Sequence, residues 1–311
     1  MERSRQATGA DTRREPPWIL GLPVRAGAPR MLKTRRNTFV VGLVCLALGA
    51  GAALLLPALF VPHATRSPSH KTVQPPRPTV VNSPNCKPPP QHPHPLVLVP
   101  GTFDATSWSA LAPALAHQGY CVFTLEYGNR ATGDIVRSAH ELARFVDRLL
   151  KRTGAGKVAI VGHSEGGLMP RYYIRFLGGA GKVSDLVGLA PSNHGTNNPM
   201  ALVGAWNGCT ACGQQVAWGS AFLRRLNAGI ETPGPVDYTS IETANDQVVL
   251  PYTSAFLSGP RARVTNITLQ DRCPSDTAGH LGITTDPVAL QWVDNALGRD
   301  GPANPAFAPV C

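Results

Sequence analysis

The chain has 311 residues, a formal charge of +10 at neutral pH and seven cysteines, enough for one domain of about 220 to 250 residues with appendages. The charge sits at one end: residues 1–36 hold nine Arg or Lys against three acids, residues 37–95 hold four basic residues and no acid, and the remainder holds sixteen of each sign. A neutral domain behind a basic appendage removes the support for a nucleic-acid partner.

In chain order, residues 1–37 form a basic N-terminal segment in which Met31 is an alternative start. Thr38 to Val61 runs 24 residues without a charge behind Lys33, Arg35 and Arg36, the pattern of a signal peptide or a transmembrane anchor. The basic flank keeps the N-terminus inside, so the chain beyond Val61 is expected to be secreted or anchored on the outer side of the cytoplasmic membrane. Residues 62–95, with eleven prolines, read as an extended linker. Apart from Cys45, the cysteines are even in number, which in an exported domain points to three disulfides. The expected pairs are Cys86 with Cys121, Cys209 with Cys212 and Cys273 with Cys311. Zinc at Cys209 and Cys212 is the rival, but no second ligand pair accompanies it.

Residues 96–311 alternate between strand and helix patterns. Leu96 to Val99 is a buried strand, Ser107 to Gln118 a helix and Cys121 to Glu126 a strand. Asp134 to Arg152 is a helix with Ile135, Ala139, Leu142, Val146 and Leu149 on one face. The strand Val158 to Val161 and a helix from Glu165 come next. Leu186 to Leu189, Val236 to Ile241 and Val264 to Leu269 are strands, and Asp286 to Leu297 is the last helix. The order predicts an α/β domain: a doubly wound, mostly parallel sheet of about six strands, helices on both faces and a small cap-like helical insertion at residues 197–235. Its site belongs at the strands' carboxyl ends.

Gly162-His163-Ser164-Glu165-Gly166 lies where the strand turns into the helix. Such a turn forces its central residue into a strained conformation and needs neighbours without a Cβ two before and two after. Gly162 and Gly166 meet that need. Ser164 Oγ is then held at a helix N-terminus, where N–H groups and the dipole favour developing negative charge. A serine nucleophile needs a base, and an acid to orient the base, in the chain order Ser, acid, His. That order leaves His280, in the loop before the last helix. His163 is expected to be a packing residue, and His194 to line the pocket edge against substrate. Asp246, just after the strand Val236 to Ile241, is the favoured acid, with Asp271 and Asp276 in reserve. The oxyanion donors are the N–H groups of Glu165 and Thr102, the Thr102 hydroxyl being a candidate third, and Phe103 lines the acyl side.

Val97 to Phe103, the elbow run through Met169-Pro170-Arg171-Tyr172-Tyr173, Ala190 to Thr196, and Gln270 to Pro274 before His280 resemble the bacterial secreted class 2 lipases of the α/β-hydrolase superfamily. The resemblance spans about Cys86 to Leu297. It implies an α/β-hydrolase fold, cofactor-free hydrolysis of acyl esters including glycerides, and Ser164, Asp246 and His280 as the triad. Two positions depart from the pattern. Pro100 replaces the His often found before the oxyanion glycine. Glu165 stands where a neutral residue is usual, so its carboxylate has to point away from the oxyanion or weaken it. The insertion carries Met200, Leu202, Val203, Trp206, Val216, Trp218, Phe222 and Leu223, which form either a cap or lipid-interface face, or the core of a packed helical pair. The expected function is a serine carboxylic-ester hydrolase, a lipase or esterase working through an acyl-enzyme. The alternatives are an acyltransferase or polyester hydrolase on the same triad, and a noncatalytic surface-binding domain.

Overall fold

The structure, a computed structural model, describes residues 81–311. The basic segment 1–37, the apolar run 38–61 and the linker as far as residue 80 lie outside the described residues, together with the expectations placed on them. Among the described residues no helix is long and apolar enough to cross a membrane.

Six strands form one parallel sheet: β1 (Leu96–Val99), β2 (Val122–Thr124), β3 (Val158–His163), β4 (Val183–Leu189), β5 (Asp237–Glu242) and β6 (Val264–Thr268). Their order across the sheet is β2-β1-β3-β4-β5-β6, and every neighbouring pair is parallel. β1 and β3 are buried at every position, which is why both read as unbroken apolar runs. The chain enters at β1, moves out to β2, then crosses back past β1 to β3 and on toward β6. The winding therefore reverses between β1 and β3, and the crevice at their carboxyl ends is the natural place for a site.

Helices cover both faces. Leu96 and Leu98 share a core with α1 (Leu111–His117) and α8 (Pro287–Leu297), whereas Val97 and Val99 share another with α3 (Ile135–Thr153) and α4 (Glu165–Phe176). The long α3 begins where Asp134 Oδ1 accepts the Arg137 N–H at 2.9 Å and stops at Gly154, which has φ 79°. That cap contributes about 1 kcal/mol. A short turn, α2 (Gly128–Ala131), leads into it.

Two predicted elements are shorter than expected. The helix predicted from Ser107 starts at Leu111, because Pro113 has no N–H and fits a helix only within its first turn. The strand predicted from Cys121 to Glu126 is three residues long. Asn82 takes up its outer edge, donating to the Val122 carbonyl and accepting the Thr124 N–H, each at 2.8 Å, which closes an edge open to other strands.

The insertion holds α5 (Met200–Trp206), α6 (Thr210–Gln214) and α7 (Ala221–Asn227). Phe222, Leu223 and Leu226 of α7 are buried in the α3–α4 core, as packing of a helical pair requires. No residue of α5 is buried, and Met200 and Trp206 are 65% and 80% exposed. The segment is thus part core and part exposed apolar face.

All three expected disulfides are present: Cys86–Cys121, Cys209–Cys212 and Cys273–Cys311. The last closes a separation of 38 residues. It holds down a tail in which the Ala303 N–H donates to Thr239 Oγ1 at 3.0 Å and Phe307 packs edge-on against Trp292. Replacing Cys273 and Cys311 by Ala is expected to cost about 4 kcal/mol through loop-closure entropy, a fall in Tm of roughly 10 °C. A calorimetric scan showing no change would mean that the tail packs unaided.

Candidate active site

β3 ends at His163 and α4 begins at Glu165, so one residue makes the whole turn. That residue, Ser164, has φ 55° and ψ −119°, a conformation that costs energy for a residue with a Cβ and persists only when its surroundings impose it. The surroundings do so by proximity. A Cβ on Gly162 would lie 1.9 Å from the Gly166 carbonyl oxygen, and one on Gly166 would lie 2.1 Å from the Val99 carbonyl oxygen. Strand, helix and β1 meet backbone to backbone. Ser164 N–H donates to the Leu189 carbonyl at 2.9 Å, which secures the turn to β4.

His280 and Asp246 are brought together by the loops after β6 and β5. His280 Nδ1–H donates to Asp246 Oδ2 at 2.7 Å, and both residues are buried. Asp246 Oδ1 accepts the N–H groups of Val248 and Val249 at 2.7 and 2.8 Å. Burial pushes the Asp246 carboxyl up, but the hydrogen bond and charge of His280 and these two N–H groups outweigh it and hold it below the ordinary range. Glu242, at the end of β5, is buried too. Burial and the nearby Asp246 charge push it up to about 10, so of the two carboxyls Asp246 is the one that carries the charge at neutral pH. The reserve acids are elsewhere: Asp271 is exposed, and Asp276 Oδ1 accepts the Ala278 N–H at 2.8 Å.

The loop after β1 carries Thr102 and Phe103 in a single helical turn, Thr102–Asp104, with Phe103 at φ 65°. Neither the Thr102 N–H nor the Glu165 N–H has an acceptor among the described residues, as two oxyanion donors require. The Glu165 side chain turns inward. It is fully buried, and its Oε2 accepts from Thr102 Oγ1 at 2.7 Å and from Gln215 Nε2 at 3.2 Å.

Ser164, His280, Thr102 and Phe103 line one cavity of about 350 Å³, closed mostly by Ala105, Met200, Ala201, Val248, Val249 and Leu281. An apolar chamber of this size with a few convergent polar groups suits a small ligand or one arm of a larger one. No hydrogen bond joins Ser164 Oγ to His280 Nε2, and such contacts are often long without substrate. Among the described residues no cluster of three or more His, Cys, Asp or Glu side chains is placed to hold a metal ion.

Two histidines differ from expectation. His194 does not line the cavity. Its Nδ1 donates to the Ser254 carbonyl and its Nε2 meets Glu231 Oε1, both at 2.9 Å, so the ring is fixed to neighbouring loops. Ser192 and Thr196 take the wall position expected of it. His163 does more than pack. Its Nε2–H donates to the His280 carbonyl at 2.9 Å, and its Nδ1 accepts from Thr106 Oγ1 at 2.9 Å. Thr106 Oγ1 in turn accepts the Gly101 N–H at 2.8 Å. Burial lowers the His163 pKa to about 3, so a neutral imidazole ties the His280 loop to the loop after β1.

Residues 93–293 match the protein-family model described as Lipase (class 2). The chain belongs to the class 2 lipase family. Among solved structures it is similar to Aspergillus fumigatus lipase B, with 25% identity over 68% of this chain and 54% of that one, at a TM-score of 0.61. It is also similar to the propeptide form of the Bacillus licheniformis lipase BlEst2, with 16% identity over 74% of this chain and 54% of the other, at a TM-score of 0.51. The second likeness is one of fold alone. The chain spans about half the length of both structures. Family and neighbours agree with the sheet order in making this an α/β-hydrolase fold of the lipase type.

Three residues of the site region escape sequence reasoning. Gln215, the residue after α6, donates to Thr102 Oγ1 at 3.0 Å, and its Oε1 accepts from Ser192 Oγ at 2.6 Å. No local pattern marks it. Arg171, buried on α4, donates to the Asn193 carbonyl at 3.1 Å and to Asn227 Oδ1 at 2.8 Å; its position among apolar helix residues is the signal. His163 is the third, since it reads in the sequence as a packing residue alone, and its place at the end of β3, beside Ser164, is the signal.

Proposed function

We propose that this protein is a serine carboxylic-ester hydrolase, a lipase or esterase that cleaves acyl esters such as glycerides through an acyl-enzyme. The observation that carries the reading is His280, held by Asp246 at 2.7 Å and sharing an apolar cavity with Ser164. In this mechanism His280 Nε2 takes the Ser164 proton as Oγ attacks the acyl carbonyl. The oxyanion is received by the N–H groups of Thr102 and Glu165, and His280 then protonates the leaving alcohol. Water, deprotonated by His280, attacks the acyl-enzyme and regenerates the serine. Every proton moves between groups the chain itself supplies, the substrate and water.

The exposed apolar side chains favour a lipid-facing mouth. Phe103, Met200 and Leu281 are at least half exposed while also lining the cavity, and Trp206 and Trp218 are exposed on the insertion. Three disulfides favour an oxidising compartment, in keeping with a secreted or outward-anchored domain.

The test is hydrolysis of a p-nitrophenyl ester series from short to long acyl chains, beside emulsified triglyceride, by the purified chain. Turnover is expected, and its chain-length optimum separates esterase from lipase. A folded protein that turns over neither substrate class would end the hydrolase reading. A product ester formed in preference to free acid when an alcohol is added would make the protein an acyltransferase.

A further inference from the structure

A carboxyl group beside a nucleophile that must build up negative charge is an unusual choice. Glu165 follows Ser164 directly, and its side chain is 0% exposed. Its Oε2 gathers two donors, Thr102 Oγ1 at 2.7 Å and Gln215 Nε2 at 3.2 Å. Those donors belong to different parts of the fold, the oxyanion loop and the insertion. Gln215 cannot turn its amide over, because its Nε2 also donates to the Ala211 carbonyl at 3.2 Å, an oxygen that can only accept. Oε1 of Glu165 is buried with no hydrogen-bond partner. The nearby Tyr127 hydroxyl donates its hydrogen to the Pro100 carbonyl at 2.8 Å and leaves Oε1 without a donor.

We propose that Glu165 is a positioning residue that works as a neutral carboxylic acid. Its Oε2 fastens the oxyanion loop to the insertion, its proton sits on Oε1, the oxygen that accepts no hydrogen bond, and loss of that proton places a negative charge against the N–H groups that receive the oxyanion. This deepens the serine-hydrolase reading and rests on it.

The charge state follows from the surroundings. The N-terminus of α4 favours an anion, but complete desolvation without a partnering cation opposes it more strongly. Burial raises the carboxyl to about 8 against the hydrogen bonds that favour ionisation. The other titratable or charged groups of the flanking elements are His163 on β3, Asp104 on the oxyanion loop, Tyr127 and Arg130 before α3, and His280 with Asp246 across the cavity. His163 stays neutral, being held at about 3. Tyr127 is raised well above the ordinary phenol range, first by burial and then by Glu165 itself, so it also keeps its proton. Arg130 is occupied with the Phe103 carbonyl at 2.9 Å. Through the alkaline range, then, Glu165 is the group beside the oxyanion loop that changes charge.

The experiment measures kcat for an uncharged p-nitrophenyl ester between pH 6 and pH 10 for wild type and Glu165→Gln, a neutral side chain of the same shape. Wild-type kcat is expected to fall at least about tenfold as pH rises through about 8, with KM little changed. Glu165→Gln is expected to hold its rate at pH 9.5 to within about twofold of its own rate at pH 7. A second readout is thermal unfolding. The carboxyl ionises near 4.5 when unfolded and near 8 when folded, so folding takes up a proton between those values. Wild type therefore loses stability relative to Glu165→Gln as pH rises across that window, and the gap in Tm levels off above it. An equal alkaline fall in both proteins, or none in either, overturns the proposal, as does a Tm gap that does not vary with pH. Wild type inactive on every ester, or activity that survives Ser164→Ala, overturns instead the serine-hydrolase reading beneath it.

Discussion

Ser164→Ala and His280→Ala are each expected to lower kcat for ester hydrolysis by about 10⁴ to 10⁶-fold, with KM within a few-fold of wild type, and the double variant is expected to be hardly worse than either one. In the proposed mechanism Ser164 Oγ is the nucleophile and His280 the base anchored for it, so removing one disables the other. Asp246→Asn is expected to cost about 10⁴-fold, for a reason visible in the hydrogen bonds. Asp246 Oδ1 accepts two backbone N–H groups, from Val248 and Val249. An asparagine must keep its oxygen there, which turns its NH₂ toward His280 Nδ1. That nitrogen then has to accept, the ring proton moves to Nε2, and the lone pair that would take the serine proton is gone. Steady-state kinetics of the three variants, with circular dichroism as a check on folding, decide the matter. Near-normal rates in Asp246→Asn would mean that His280 needs no carboxylate at Asp246.

Gly162→Ala should be the most damaging single methyl group in the domain. The added carbon would lie 1.9 Å from the Gly166 carbonyl oxygen, 2.2 Å from its carbon and 2.6 Å from the Gly167 nitrogen. These are backbone atoms that cannot rotate away, so β3 and α4 must separate. Separation carries Ser164 off the turn that aims it. A loss of at least about 3 kcal/mol in urea unfolding is expected, together with loss of activity. Gly156→Ala and Gly181→Ala are the controls, since a Cβ at either meets nothing within 4 Å. They are expected to change stability by less than about 1 kcal/mol, and to raise it where the backbone already suits alanine.

How much of the molecule is legible in the chain depends on the range of the interaction. Parallel strands buried on both faces leave unbroken apolar runs, so Leu96–Val99 and Val158–Val161 are plain. The elbow is plain because close backbone approach demands glycine at fixed spacing. Helix ends obey their local chemistry at Asp134 and Gly154, but the helix expected from Ser107 starts late because Pro113 confines it. The pairing of Asp246 with His280 follows from strand order. The contacts of His194 with Glu231 and of Glu165 with Gln215 do not, because side chains that meet across loops leave no period in the sequence. Glu165 stands out in the sequence as a charge in a neutral position, and only its burial explains how the site tolerates it.

The winding of the sheet also bears on when the molecule becomes competent during its synthesis. His163 and His280 lie 117 residues apart and meet through a hydrogen bond, and β4, β5 and β6 must all be laid down between them. A chain emerging from the ribosome, at about 5 to 20 residues per second, therefore presents its serine well before its base exists. On the proposed mechanism, the nascent polypeptide has nothing with which to attack an ester through that interval. On that mechanism competence arrives only once β4, β5, β6 and the His280 loop have followed the serine, so an activity assay counts molecules whose synthesis has passed His280.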